Sequence, residues 1–298
     1  MHPMRYAKFF AGFLALACVS AFGQTADSLT FEVASVKRTP PPEPGARVFY
    51  GPPRGGPGTS DPAQITWTNA ALRNILMTAY DVQTFLVTAP EWLATERYDI
   101  VAKVPAGATK AQVNVMWQNL LKERFGLVLH REPKELAVYE LTVAKGGSKL
   151  KETEDPNIEP LTPAAGPLRA GQGGALEMNG SGAIVSIFPT ANGATARMFA
   201  KGLPSSEIAI RLANSLRRPV IDKTGLTGKY DFTLEFTLDT TGIALPPGFP
   251  AAADNNASDP GSDIASAVEK QLGLKLTSTK GKLDVIVVDR AEKIPTEN

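Results

Sequence analysis

The sequence predicts an α+β protein of two related units, each a helix, strand, helix and hairpin, with the helices packed on a mostly antiparallel sheet. Three observations carry this. RFGLVLHREPKELAVYELTV (124–143) aligns without a gap over QLGLKLTSTKGKLDVIVVDR (271–290), and upstream Tyr98-Asp99 falls over Tyr230-Asp231. The segments holding these Tyr-Asp pairs alternate apolar and polar residues, the two-residue period of a half-buried strand. Between the matched pieces, apolar residues recur at helical spacing and the stripes stop at Gly126 and Gly273, residues suited to the left-handed conformation that closes a helix.

At the start, MHPMRYAKFFAGFLALACVSAFGQ places Arg5 and Lys8 before an apolar run and offers Ala21-Phe22-Gly23 as a cleavage site, so residues 1–23 read as a secretory signal peptide. No later run approaches the ~20 apolar residues of a membrane-spanning helix. The expected location is secreted or periplasmic. The lone cysteine, Cys18, lies in this leader. Lipid anchoring through it is the lesser alternative, because Ala15-Leu16-Ala17-Cys18 has alanine where such signals usually have leucine. Loss of the leader removes the only cysteine, so no disulfide is expected and stability falls to packing.

Residues 24–63 hold a strand candidate, LTFEVASVKR, followed by a Pro/Gly-rich loop, 39–63, in which neither helix nor central strand is expected. The first unit is set at 64–151. It opens with a short strand, QITWT, and a helix carrying Leu72, Ile75, Leu76 and Tyr80, with Asn69 as candidate cap. Tyr98, Ile100, Ala102 and Val104 then share a strand face. A second helix follows the capping box Thr109-x-x-Gln112 with the stripe Val113, Met116, Trp117, Leu120, Leu121, Phe125. Past Gly126, two β segments joined by REPKE read as a hairpin.

A polar linker, 152–182, precedes the second unit at 183–298. The same order recurs there: ARMFA as a short strand, Ile208, Leu212 and Leu216 on a helix capped by Ser205 or Ser206, and Tyr230, Phe232, Leu234 and Phe236 on a strand face. Ile264, Ala267, Val268 and Leu272 mark the next helix, and STKGK joins the final hairpin. Whether the two sheets merge is not decided by sequence. Residues 238–262 form a further polar, small-residue stretch.

Charge and composition narrow the chemistry. The full chain has a formal net charge of +1, which falls to about −1 without the leader and gives no reason to expect nucleic acid. One histidine, His130, remains outside the leader, so histidine-rich and cysteine zinc sites are ruled out, and no metal or cofactor is expected. His130 maps to Thr277 and reads as a surface or hydrogen-bonded structural residue.

Two short motifs suggest a serine hydrolase acting on peptidoglycan or a β-lactam: Ser148-Lys149-Leu150-Lys151 as S-x-x-K, and Lys223-Thr224-Gly225. The intervening Ser-x-Asn element is missing and the separation is short, so Lys223-Thr224-Gly225 reads as a turn and no catalytic residue is assigned. Asp99 and Asp231 read as acceptors for backbone N–H groups rather than an acid–base pair. Tyr98, Asp99, Gly126, Tyr230, Asp231 and Gly273 thus serve as structural markers of the repeat. Trp117 belongs to the core, and Trp92 is the candidate for lining a ligand cleft.

Taken together, FEVASVKR, APEWLATERYDIVAKVP, LLKERFGLVLHREPKELAVYELTVAKGGSKLK, RPVIDKTGLTGKYDFTLEF and QLGLKLTSTKGKLDVIVVDRAEKIPTEN make the chain resemble a family of secreted, soil-associated bacterial proteins of unknown function. The resemblance covers nearly all of the chain after the leader. It implies that DKTGLTGKYDF is a hallmark of the fold, and it implies no activity. Some members look fused to membrane metallopeptidases similar to β-lactam sensors, which implies an extracytoplasmic sensing role; this chain has no H-E-x-x-H. The expectation is a non-enzymatic binding or sensor module for an envelope protein or a cell-wall-derived ligand.

Overall fold

The structure, a computed structural model, describes residues 29–40, 51–159, 169–170, 176–177, 181–190, 193–238 and 261–296. The expected leader, residues 1–23 with Cys18, most of the 152–182 and 238–262 stretches and part of the 39–63 loop lie outside the described residues. Helices and antiparallel sheets make the protein α+β. No helix among the described residues is long and apolar enough to cross a membrane.

In chain order the first half comprises β1 (Val33–Arg38), β2 (Arg54–Gly55), β3 (Gln64–Ala71), α1 (Leu72–Tyr80), β4 (Val87–Thr88), α2 (Trp92–Thr95), β5 (Arg97–Lys103), α3 (Lys110–Phe125) and β6 (Val128–Val143). The second half has β7 (Lys151–Glu152), a small ladder of β8 (Arg169–Ala170) with β9 (Leu176–Glu177), then β10 (Gly182–Thr190), β11 (Gly193–Pro204), α4 (Ser205–Leu216) and β12 (Val220–Asp222). It closes with β13 (Lys229–Leu238), α5 (Gly261–Ala267) running into a π turn at Val268–Leu272, and β14 (Leu274–Arg290).

One sheet has the order β1-β5-β3-β2, another β7-β13-β11-β10, and both are antiparallel throughout. Their inward residues follow from the strand period: Tyr98, Ile100, Ala102 and Val104 are buried in one, and Tyr230, Leu234 and Phe236 in the other. Helix α3 buries Val113, Met116, Trp117, Leu120, Leu121 and Phe125. Its Thr109 side chain and Gln112 exchange hydrogen bonds with each other's backbone, and Gly126 ends it at φ 55. Burial pushes the Tyr98 phenol up to about 12, and its hydroxyl donates to the Lys293 carbonyl at 2.7 Å.

The expected hairpins are not there. Each of β6 and β14 is one long strand, and they pair antiparallel with each other from Leu274↔Val143 to Arg290↔Val128. A two-residue hairpin needs residues that adopt positive φ. Among the described residues none of Arg131–Glu135 or Ser278–Lys282 does so, Gly281 included, and the backbone runs straight through. Glu135 faces Lys282, the residue it aligns with in sequence, while Pro133 faces Asp284 and Ala137 faces Lys280. The ribbon is therefore symmetric about the Glu135–Lys282 pair. Short parallel strands flank it, β12 beside β6 and β4 beside β14, giving a third sheet, β12-β6-β14-β4.

This third sheet ties the two cores together. Leu127, immediately before β6, joins one core with Ile286 and Val288 from the end of β14. Leu274 at the start of β14 joins the other with Leu141 from the end of β6. Each long strand begins in one core and finishes in the other.

Helix starts also depart from expectation. Neither α1 nor α4 has a side-chain cap; Ala71 and Pro204 occupy those positions. Asn69 is part of a strand irregularity instead, and Ser205, the first residue of α4, is buried with its hydroxyl donating to the Leu226 carbonyl at 3.0 Å. The described part of the Pro/Gly-rich loop contributes only β2, a two-residue edge strand, in keeping with the backbone limits of proline.

Candidate functional site

Two bulges give the structure its most informative comparison. In β3 the register with β5 shifts between Trp67 and Ala70, and in β11 the register with β13 shifts between Ala200 and Leu203. The extra residue leaves a backbone N–H without a ladder partner. Asn69, at φ 55, donates that N–H to Asp99 Oδ1 at 2.7 Å, and Gly202, at φ 62, donates to Asp231 Oδ1 at 2.7 Å. Asparagine and glycine are the residues that enter this left-handed region most readily. Each aspartate is committed to its own bulge.

What lies over the two bulges differs. Above Asn69 is an open cleft of about 590 Å³ between α1, α3 and the Gly51-Pro52-Pro53 segment. Trp67 forms part of its wall with its indole N–H donating to the Gly51 carbonyl at 3.0 Å, and Met77 and Val82 add apolar surface. The polar lining is amide-rich: Asn69, Asn74 and Asn114, with Thr78 beside them. Arg97, Lys110 and Asp81 bring the charges.

Above Gly202 the same place is filled. A Cβ on Gly202 would come within 2.7 Å of Ile158 Cγ2 and 3.0 Å of Ser181 Cβ. Lys229 holds the register position that Arg97 holds in the first sheet, opposite the helix-start residue, and its ammonium donates to the Pro156 carbonyl at 2.6 Å. Glu207 and Arg211, in the α4 positions that Asn74 and Thr78 occupy in α1, face each other at 3.8 Å.

A comparison with known families matches residues 73–291, from α1 to just past β14, to the family described as "Protein of unknown function (DUF3738)". The chain belongs to this family. No curated protein and no solved structure gives a match. The DUF3738 match takes in the second core, the ribbon and the first half from α1 onward, while β1, β2 and β3 precede it.

Within this DUF3738 fold, Lys223-Thr224-Gly225 is a turn after β12. Asp222 Oδ1 accepts from the Thr224 backbone at 2.9 Å and from its hydroxyl at 2.7 Å, and Thr224 Oγ1 accepts from Leu226 N–H at 3.2 Å. Gly225 takes φ 69. Burial pushes the Asp222 carboxyl up, but the Ser205 hydroxyl, shared with the Leu226 carbonyl, and the Thr224 backbone and hydroxyl more than offset it and hold it below the usual carboxylate range. The motif thus anchors the entry into β13. Ser148 Oγ accepts from Leu150 N–H in an exposed turn, Lys151 faces Glu154 at 3.3 Å, and Lys223 faces Glu140 at 3.8 Å. No hydrogen bond or ion pair among the described residues joins Ser148, Lys151 and Lys223.

The other candidates separate as clearly. Trp92 does not line the cleft; it packs half-buried against the first core with the Lys293 ammonium 5.7 Å from its ring centroid. The tryptophan at the cleft is Trp67, which sequence periodicity assigns only to a strand. His130 is exposed and paired with Asp289 at 2.9 Å. Among the described residues no group of His, Cys, Asp and Glu side chains could hold a metal ion. Gly126 and Gly273 close their helices at φ 55 and 65.

Proposed function

We propose that this DUF3738 protein is a non-enzymatic extracytoplasmic binding or sensor module, made of two related α+β units, whose ligand seat is the cleft over Asn69. One unit spans 64–151 and the other 183–298, joined through 152–182. The leader-like residues 1–23 support a secreted or periplasmic location. The observation that carries the binding reading is the contrast between the bulges: the same backbone device is plugged by Ile158 and Ser181 in one sheet and left open under amide and charged side chains in the other. A concave site with a few convergent polar groups is the usual form of a small-ligand site.

The test is retention from an envelope extract by residues 24–298, run beside an Asn74→Trp variant. Asn74 is exposed on α1, so the indole fills the cleft without entering the core. A component retained by the unaltered protein and lost with Asn74→Trp is the expected result. Retention of nothing, or retention indifferent to this substitution, would overturn the assignment of the seat.

A further inference from the structure

Resting on that reading, we infer that the cleft takes a short peptide with both ends free, its carboxylate toward Arg97 and its amino group toward Asp81. The spacing comes from α1. Arg97 pairs in register with Ala71, immediately before the first turn of α1, and Asp81 caps the last turn. Ten residues at the helical rise separate these ends by ~15 Å, which is the span of about four extended residues. Asn74, Met77, Thr78 and Asp81 recur at three- and four-residue intervals and so share one face of α1 along that span. Asn69 and Asn74 place amide donors near the Arg97 end. Lys110 and Asn114, one turn apart on α3, supply donors for peptide carbonyls, while Met77 and Val82 offer apolar contact for side chains.

The placement of charge at the cleft suits a ligand with charged ends, and Asp81 also has a local role, since aspartate is among the few side chains that readily enter the left-handed conformation of this C-cap. A helix favours acids at its N-terminus and bases at its C-terminus. Helix α4 obeys this, with Glu207 in its first turn and Arg217 at its left-handed C-cap. At the cleft the pattern is reversed: Asp81 is the C-cap of α1, and Lys110 is the first residue of α3. Two charges set against their helix dipoles on one concave surface weaken the fold locally, and such departures concentrate at functional sites. A saccharide is the poorer occupant. Sugars bind against an open aromatic face, whereas Trp67 is 3% exposed, its N–H is used by Gly51, and its ring meets Trp117 edge-on.

Tetraalanine, tetraalanine amide and N-acetyl-tetraalanine, titrated into residues 24–298 with tryptophan fluorescence and calorimetry as readouts, test this directly. Tetraalanine binds saturably; removing the terminal carboxylate charge or the amino charge each weakens binding about tenfold, the effect of losing a hydrogen bond to a charged group. Asp81→Asn abolishes the penalty for acetylation and leaves the penalty for amidation, and Arg97→Gln does the reverse. Should Arg97→Gln fail to fold, the three peptides on the unaltered protein still decide. Equal binding of all three, or binding of none, overturns the peptide assignment. If retention sensitive to Asn74→Trp persists in that case, the binding-module reading stands and only its ligand class falls; if that retention is absent as well, both fall.

Discussion

Asn69 gives its backbone N–H to Asp99 Oδ1 at 2.7 Å, so a carboxylate on β5 fixes the shape of a bulge on β3. Asp99→Ala leaves that N–H without its acceptor inside the sheet, and the expected loss of stability is ~1–3 kcal/mol. Asp99→Asn keeps an oxygen acceptor and loses less. Urea unfolding measures both, with the midpoint moving and the slope unchanged if the native state is otherwise intact. Asp231→Ala repeats the effect through Gly202. The bulge also shapes the cleft wall, so Asp99→Ala weakens ligand retention while Asp231→Ala leaves the seat intact.

Local signals were legible where one element settles its own residues. The α3 stripe, its capping box and its Gly126 stop are all within one helix, and the alternation of Tyr98 to Val104 is within one strand. Relations between distant segments were not legible. A strand carries the same two-residue period whether it folds back on itself or pairs with a segment ~150 residues away, so the β6–β14 ribbon read as two hairpins. The cleft was hidden for a similar reason. Its lining comes from the 51–53 segment, β3, α1, β5 and α3, and only the fold brings these together. The reversed charges of Asp81 and Lys110 were the available sequence signal, visible once the helix ends are known.

Gly126 and Gly273 close equivalent helices yet should respond differently to a methyl group. Both have positive φ, so alanine at either incurs about 1 kcal/mol of backbone strain. A Cβ at Gly126 meets only Glu292 Cγ at 3.6 Å. At Gly273 it falls on the Gly147 carbonyl oxygen and lies 2.8 Å from Lys149 N, backbone atoms that cannot yield cheaply. Gly273→Ala therefore destabilises by several kcal/mol more than the strain alone. Thermal unfolding of the two variants separates these values.

His130 makes stability depend on pH in a calculable direction. The hydrogen bond from its imidazole to Asp289 is the main reason its pKa is raised above 6.5, with partial desolvation opposing and the charges of Asp289 and Glu132 adding to the rise. A folded-state pKa above the unfolded value stabilises the protein fully below the unfolded pKa, and the contribution disappears as pH rises through the folded pKa. Residues 24–298 hold one imidazole, so its proton resonances titrate alone. The measured midpoint lies above 6.5 and falls toward it in Asp289→Asn. His130→Gln removes the corresponding slope, which lies from the unfolded value of 6.5 upward, from stability against pH. An unshifted midpoint would show that the pair does not persist in solution.

The ribbon makes a sharper demand, because it requires the two cores to unfold together. All three tryptophans, Trp67, Trp92 and Trp117, belong to or pack against the first core. Leu212, in α4, is fully buried in the second. Leu212→Ala removes buried apolar volume there at a cost of ~2–5 kcal/mol. Independent cores would leave the tryptophan transition in place while far-UV circular dichroism splits into two steps. Leu129, packed against the first core, and Leu141, in the second, place β6 in both, and Leu274 with Ile286 and Val288 does the same for β14. Unfolding the second core therefore strips Ile286 and Val288 of the strand that positions them and exposes the first. Fluorescence and circular dichroism should shift to lower urea by the same amount, with one coincident transition. A fluorescence midpoint unmoved by Leu212→Ala would mean that the long strands join the cores without coupling them.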